Sequence, residues 1–349
     1  MIYPLETFRG IFALVIVLHH LKIETFVQRS NFIINGGLVV DFFFVLSGFV
    51  ISLNYLDKIN SIKDLFNFQK KRFLRLYPLH ILTLFIFIFI EFIKLFVNKF
   101  TELQSLYEPF GGFNNLYSLV ANFFLLHGWY GWSYNLPSWS ISTEFYTYLI
   151  FGLLVLFLSK KIFYFLFLIL FSILIFILNN QGFEILNNVI YPTRCIYSFF
   201  LGVITYVIFK KSKSYSSTIL TLIFITMSMS FINFSHYFDL NNRYIIAPLI
   251  FGVTIFFVSN LNTNLFLYKL LSNKFTVYLG SISYGVYMIH FGMLWFFRQF
   301  SRFVLNTNQT KDDYLLFNQY IGEILTIVFV IILIFISHLS LKYFENRFR

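Results

Sequence analysis

Long apolar runs, separated by short polar stretches, fill almost the whole chain. Ten of them approach the length of a helical bilayer span, about 20 residues. They cover 8–22, 34–54, 77–97, 141–158, 162–178, 193–209, 218–234, 244–259, 275–297 and 320–343. The first, fifth and eighth are short, as expected where helices surround a cavity rather than lipid. The longest polar stretches, Asp57 to Arg75 and Asn98 to Pro137, read as loops with amphipathic pieces. The pattern predicts an all-α polytopic membrane protein with about ten transmembrane helices around a central polar cavity. An even number of spans puts both termini on one side. With the N and C termini cytoplasmic, seventeen Lys and Arg residues fall on cytoplasmic segments and nine on the far side. That asymmetry follows the positive-inside rule. The expected organisation is a single membrane domain over 1–349, with no fused soluble domain.

Composition supports this reading and removes others. Only 12% of residues are charged, against about 25% in a soluble domain. The net charge of +11 is accounted for by basic loops, so nucleic acid is not an expected partner. The one cysteine, Cys195, excludes an intrachain disulfide and a thiolate metal cluster. Neither a His-Glu-x-x-His helix nor a phosphate-binding glycine loop occurs, so no metal is expected. The N-terminus does not read as a cleavable signal. It carries Glu6 and Arg9, and two histidines follow its apolar run.

The informative residues are polar ones inside apolar runs, where a charge costs about 2.5–3.5 kcal/mol at a span centre and therefore faces protein or a water-filled cavity. Arg9 and His20 bracket the first span, eleven positions apart, or about 16.5 Å along a helix. Taken alone, the two are interfacial anchors. With unperturbed titration near neutrality, His20 also suits a general base. Its neighbour His19 points about 100° away on a helix, so only one of the two shares a face with a given partner.

Asp41 sits in the second apolar run and needs a partner, for which an imidazolium at His19 or His20 is the natural choice. Ser47-Gly48 supplies either a cavity hydroxyl or a close helix contact. Arg72 and Arg75 share a helix face at the cytoplasmic boundary. They suit bidentate phosphate binding as well as positive-inside anchoring. Pro78 is expected to start or kink the next helix. Trp139, Ser140 and Glu144 open the fourth span. Trp129 and Trp132 read as interfacial belt residues, whereas Trp139 is a candidate for stacking on a sugar ring. In the ninth span Ser283, Tyr287 and His290 are spaced four and three apart, a polar stripe that implies a cavity.

In this order the constellations resemble the membrane-bound acyltransferase-3 family of bacterial O-acyltransferases. The matching stretches are Arg9 to His20, Asp41 to Phe49 (with one extra residue between Asp and Ser), Arg72 to Pro78, Trp139 to Glu144, Ser283 to His290, and the closing Tyr343 to Phe348, where Arg347 stands at a position often occupied by proline.

The resemblance implies transfer of an acyl group, most commonly acetyl, from cytoplasmic acyl-CoA (acetyl-CoA) to a hydroxyl of an extracytoplasmic saccharide in the bacterial inner membrane. Acyl-CoA is a co-substrate, and no bound cofactor is implied. His20 would act as general base, with Asp41 or Glu144 orienting it. Arg9, Arg72 and Arg75 would meet the CoA. Ser47, Trp139, Ser140, Ser283, Tyr287 and His290 would line the cavity, with Tyr287, Ser47 and Arg9 the candidates for contacting the thioester or oxyanion. Some members of the family carry a hydrolase-like domain after the membrane domain, and none is expected here. The rival reading is a transporter of an anionic or glycosidic substrate, since intramembrane Arg, Asp, Glu and His occur there too. Within the family, a succinyl or longer-acyl transferase is the alternative.

Overall fold

A computed structural model describes residues 2–101, 108–130, 133–158, 162–182, 189–212, 216–305, 307–308, 310 and 313–348. Trp132 and the loop cations Lys160, Lys161, Lys213, Lys311 and Arg349 lie outside the described residues. Fourteen α-helices follow one another: α1 Tyr3–Leu21, α2 Asn31–Ile34, α3 Val39–Tyr55, α4 Ile62–Phe100, α5 Leu116–Phe123, α6 His127–Tyr130, α7 Trp139–Phe157, α8 Ile162–Asn179, α9 Ile190–Lys211, α10 Thr218–Phe234, α11 Leu240–Ser259, α12 Phe266–Leu271, α13 Lys274–Phe303 and α14 Gln319–Tyr343. Nine of the described helices are long and apolar enough to cross a membrane. The fifth expected span is α8, whose apolar stretch Tyr164–Asn179 is shorter than those nine.

The polarity of the bundle is that of a protein in lipid. On α4, Phe85, Phe89, Phe92 and Phe96 are exposed, and on α14 so are Ile324, Ile327, Ile331 and Phe335. Buried polar groups, by contrast, include Asp41, His80, Arg194, Ser283 and His290. Apolar outside and polar inside is stable only where the surroundings are hydrocarbon. The chain is an integral membrane protein.

One expectation is corrected in α4. The polar stretch before Tyr77 is not a separate loop: from Ile62 the helix runs unbroken through Pro78 to Phe100. Ser61 caps its N-terminus by accepting from the Asp64 N–H. A proline in a helix removes one N–H and crowds the carbonyl four residues back. Here the basic first half and the apolar second half belong to one continuous helix, and Arg72 and Arg75 on it line the central cavity.

Two helix pairs set the centre. The first, α1 and α13, runs parallel, with Gly10 packed on Leu279 and Gly280 packed on Glu6. In the second, α3 crosses α9 so closely that a Cβ on Gly48 would lie 1.9 Å from the Phe199 carbonyl oxygen, and one on Gly202 would lie 1.9 Å from that of Val45. Small residues at such crossings replace the hydrophobic drive that lipid does not supply. Gly48 therefore has the packing role, while its neighbour Ser47 faces the cavity. Gly48→Ala is expected to lower the thermal stability of the purified protein by more than an ordinary overpacking change, about 1–3 kcal/mol, because backbone blocks the added methyl. Thermal unfolding in detergent, followed by size-exclusion fluorescence, measures it.

Candidate active site

Five helices, α1, α3, α4, α7 and α13, enclose a cavity of about 300 Å³. Arg9, Arg72 and Arg75 line it together with Ser47, Ser140, Glu144, Ser283 and Tyr287. These eight come from five separated stretches of the sequence, and the fold brings them to one space. Tyr148 and Tyr284 join them. The floor and walls are apolar: Val40, Phe43, Phe44, Leu46, Val50, Ile51, Leu76 and Ile141.

Arg9 and Arg72 are held by neighbouring side chains. Arg9 pairs with Glu6 one turn back at 2.9 Å, and its other terminal nitrogen reaches Ser283 Oγ at 3.4 Å. Arg72 donates to the Tyr55 hydroxyl at 3.4 Å and lies over the Tyr55 ring, 5.4 Å from the centroid. Its Nε is buried without an acceptor. An unsatisfied guanidinium nitrogen beside a cavity is suited to an anionic ligand.

Along the α7 wall, Tyr148 donates its hydroxyl to Glu144 Oε1 at 2.5 Å and lies 2.8 Å from Ser47 Oγ. Because the phenol proton goes to the carboxylate, Ser47 donates to the phenol oxygen, and the three groups form one chain. Tyr148 escaped the sequence reading, although its position one turn after Glu144 was a usable signal. At the other end Tyr287 donates to the Pro137 carbonyl at 2.7 Å and lies 2.7 Å from Ser140 Oγ. Tyr284 ties α13 to α4 through the Leu76 carbonyl.

His20 and His290 are not among the groups lining this cavity; they stand one turn of α13 beyond Tyr287, whose ring is 6.0 Å from that of His290. His20 Nδ1 and His290 Nε2 are 3.0 Å apart. The pattern of hydrogen bonds sets the tautomers. His290 Nδ1 faces the Val286 carbonyl at 3.2 Å, which only accepts, so that nitrogen carries the proton. His290 Nε2 then accepts from His20 Nδ1–H. His20 Nε2 is left with a lone pair, the state a general base requires. His19 is turned the other way and bonds the Ile33 carbonyl at 3.0 Å.

The expected carboxylate partner of His20 is thereby replaced. Asp41 is fully buried, and both its oxygens are taken by Arg194, at 2.7 Å from Nε and 2.8 Å from a terminal nitrogen. Ser198 adds a third donor at 3.2 Å, and Arg194 also donates to the Gly37 carbonyl at 2.8 Å. A lone buried carboxylate needs a cation at bonding distance, and the α3–α9 crossing puts Arg194 there. Arg194 falls in the first turn of the sixth apolar run, and an arginine there together with an aspartate inside another run was the available signal. Trp139 packs against this pair rather than the cavity, with the Arg194 guanidinium 5.6 Å and the Tyr191 ring 4.7 Å from its ring centre. Trp129 is half-buried, its ring 6.3 Å from that of Tyr146. Among the described residues no group of three or more His, Cys, Asp or Glu is placed to hold a metal.

Comparison with known proteins identifies the family. A family model described as an acyltransferase domain matches residues 2–341. Acyltransferase MdmB of Streptomyces mycarofaciens is 35% identical over 124 residues, which is 34% of this chain and 28% of that protein. No solved structure matches the chain. Since the family model extends over nearly its whole length, the chain belongs to the acyltransferase-3 family.

Proposed function

We propose that the protein is an O-acyltransferase that moves an acyl group, acetyl first among the candidates, from acyl-CoA to a hydroxyl of a saccharide on the opposite side of the bacterial inner membrane. The observation that carries this reading is the line of polar groups from Arg9, Arg72 and Arg75, through a 300 Å³ cavity, to Tyr287 and the His20–His290 pair. With the termini cytoplasmic, the arginine end faces the cytoplasm and receives the CoA phosphates. Its thin pantetheine arm would reach up the cavity. The acceptor comes to His20 from the far side.

In the reaction, His20 Nε2 takes the hydroxyl proton as the acceptor oxygen attacks the thioester carbonyl. The new C–O bond forms, the C–S bond breaks, and the proton passes to the departing sulfur. His290 Nε2 accepts the Nδ1–H of the imidazolium and holds its ring in place, the task usually given to a carboxylate. Arg9 is the donor for the developing oxyanion, a contact worth about 10²–10³-fold, and the Tyr287 hydroxyl becomes a second donor only by leaving the Pro137 carbonyl. Glu144, through Tyr148, fixes the Ser47 hydroxyl against the cavity wall. Asp41 acts through Arg194 as a positioning residue.

The test is labelled acetyl-CoA on the arginine side of proteoliposomes, with the source cell's envelope glycans as acceptor. Label is expected on the glycan. Arg72→Ala with Arg75→Ala should raise the donor KM about tenfold or more, from the loss of two charge-assisted contacts, and leave the acceptor KM nearly unchanged. Passage of glycan across the bilayer without acylation would identify a transporter instead.

A further inference from the structure

Beyond the histidine pair α13 continues toward its C-terminus. Arg298 lies eight residues after His290, about 12 Å along the helix. The intervening Leu294 belongs to one apolar cluster with Leu21 and Ile23, at the exit of α1. Lys22 caps α1 two residues after His20, with φ 48°. The loop that follows is fixed against the α13–α14 connection by the Ile23–Leu315 bridge. Two cations, Lys22 at the end of α1 and Arg298 further along α13, therefore lie on the outer side of the His20–His290 pair.

Arg298 is poorly satisfied. Its contacts to Asp313 are long, 3.4 Å to the carboxylate and 3.4 Å to the carbonyl, and that carboxylate is 61% exposed. Its Nε is buried and has no acceptor. In the orientation proposed above this is also the side where basic residues are not needed for topology. Placing a guanidinium there, mostly buried and under-coordinated, calls for a ligand.

We propose that Arg298 and Lys22 form an anion-recognition subsite beside the candidate base, so that the acceptor saccharide carries a carboxylate or a phosphate within reach of the hydroxyl that is acylated. This rests on the acyltransferase reading for the identity of the site as an acceptor site. A guanidinium matches either anion bidentately. The acceptor's anion replaces the long contacts that the two terminal nitrogens make to Asp313. The lysine adds attraction as the acceptor approaches.

Isothermal titration of the full chain in detergent tests the proposal, with glucuronic acid, glucose 1-phosphate and glucose as probes. At least one charged sugar is expected to bind about tenfold more tightly than glucose, the size of one charge-assisted contact. Which of the two does so separates a uronic-acid acceptor from a phosphate-linked one. Arg298→Gln should abolish the preference and Arg298→Lys should keep part of it. Lys22→Gln, at the mouth, should weaken it by less. Coenzyme A affinity should stay unchanged in all three variants. Equal binding of the three sugars, or an undiminished preference in Arg298→Gln, overturns the subsite. Failure of glycan labelling with the sugar preference intact would instead overturn the acyltransferase reading.

Discussion

His20→Ala is expected to reduce acyl transfer by about 10²–10⁴-fold, the usual worth of a positioned base, with the donor KM nearly unchanged. The reason is separation in space. His20 stands beyond Tyr287, outside the arginine-lined cavity, so removing it does not touch the groups proposed to hold CoA. His290→Ala should follow it in kind and by a smaller factor. Without His290 the His20 ring loses the acceptor at 3.0 Å that fixes its tautomer, but keeps Nε2 as a base in the fraction of molecules correctly turned. His290→Gln restores an acceptor and should recover part of the loss. His19→Ala should cost little, since that ring bonds the Ile33 carbonyl on another face. Initial rates against donor concentration for the four variants decide the matter. Full activity in His20→Ala would shift the base to Glu144, the carboxylate inside the cavity.

The stripe Ser283, Tyr287 and His290 was legible in the sequence because it needs only helical arithmetic within one element. The helices were legible for a similar reason, as an apolar run of span length leaves the backbone little else to form. What the sequence hid was pairing between elements. Asp41 and Arg194 are 153 positions apart, and His20 and His290 are 270 apart. Nothing local says that α3 crosses α9 or that α1 lies along α13. Both pairings follow from close glycine contacts, Gly48 on Phe199 and Gly202 on Val45 in one, Gly10 on Gly280 in the other, whose effect depends on what lies opposite. A histidine was therefore assigned a carboxylate that the fold gives to an arginine. The continuity of α4 through Pro78 was hidden differently. The local preference to break there is real, but one lost hydrogen bond is a small cost beside the packing of Leu76, Leu79 and His80 in the bundle.

In the proposed reaction the histidine pair and the three arginines would mark opposite ends of one route, with Tyr287 between them. Its hydroxyl is bonded to Ser140 and to the Pro137 carbonyl, so the turn before α7 holds it at the boundary of the cavity. A thioester arriving from the arginine side meets this hydroxyl before it meets the base. To donate to an oxyanion the hydroxyl would turn from the Pro137 carbonyl, with Ser140 keeping its contact to the phenol oxygen.

Asp41→Ala and Arg194→Ala are each expected to destabilise the protein by about 3–5 kcal/mol, because each leaves its partner as an uncompensated buried charge. Both oxygens of Asp41 and two nitrogens of Arg194 are committed to each other at 2.7 and 2.8 Å, with both side chains buried. Loss of activity in either single variant would therefore say nothing about catalysis. The double variant Asp41→Leu with Arg194→Met separates the roles. Replacing a buried ion pair by apolar groups of similar volume is often neutral or stabilising, and the surroundings here, Trp139 and Tyr244 on either side of the guanidinium, are aromatic. The double variant is expected to regain most of the lost thermal stability and to turn over within about tenfold of the parent, since neither residue lines the cavity or contacts His20. Thermal unfolding and turnover per folded molecule, measured on the same preparations, check both halves. A double variant as stable as the parent but slower by the 10²-fold or more of a lost catalytic group would return Asp41 to the chemistry itself.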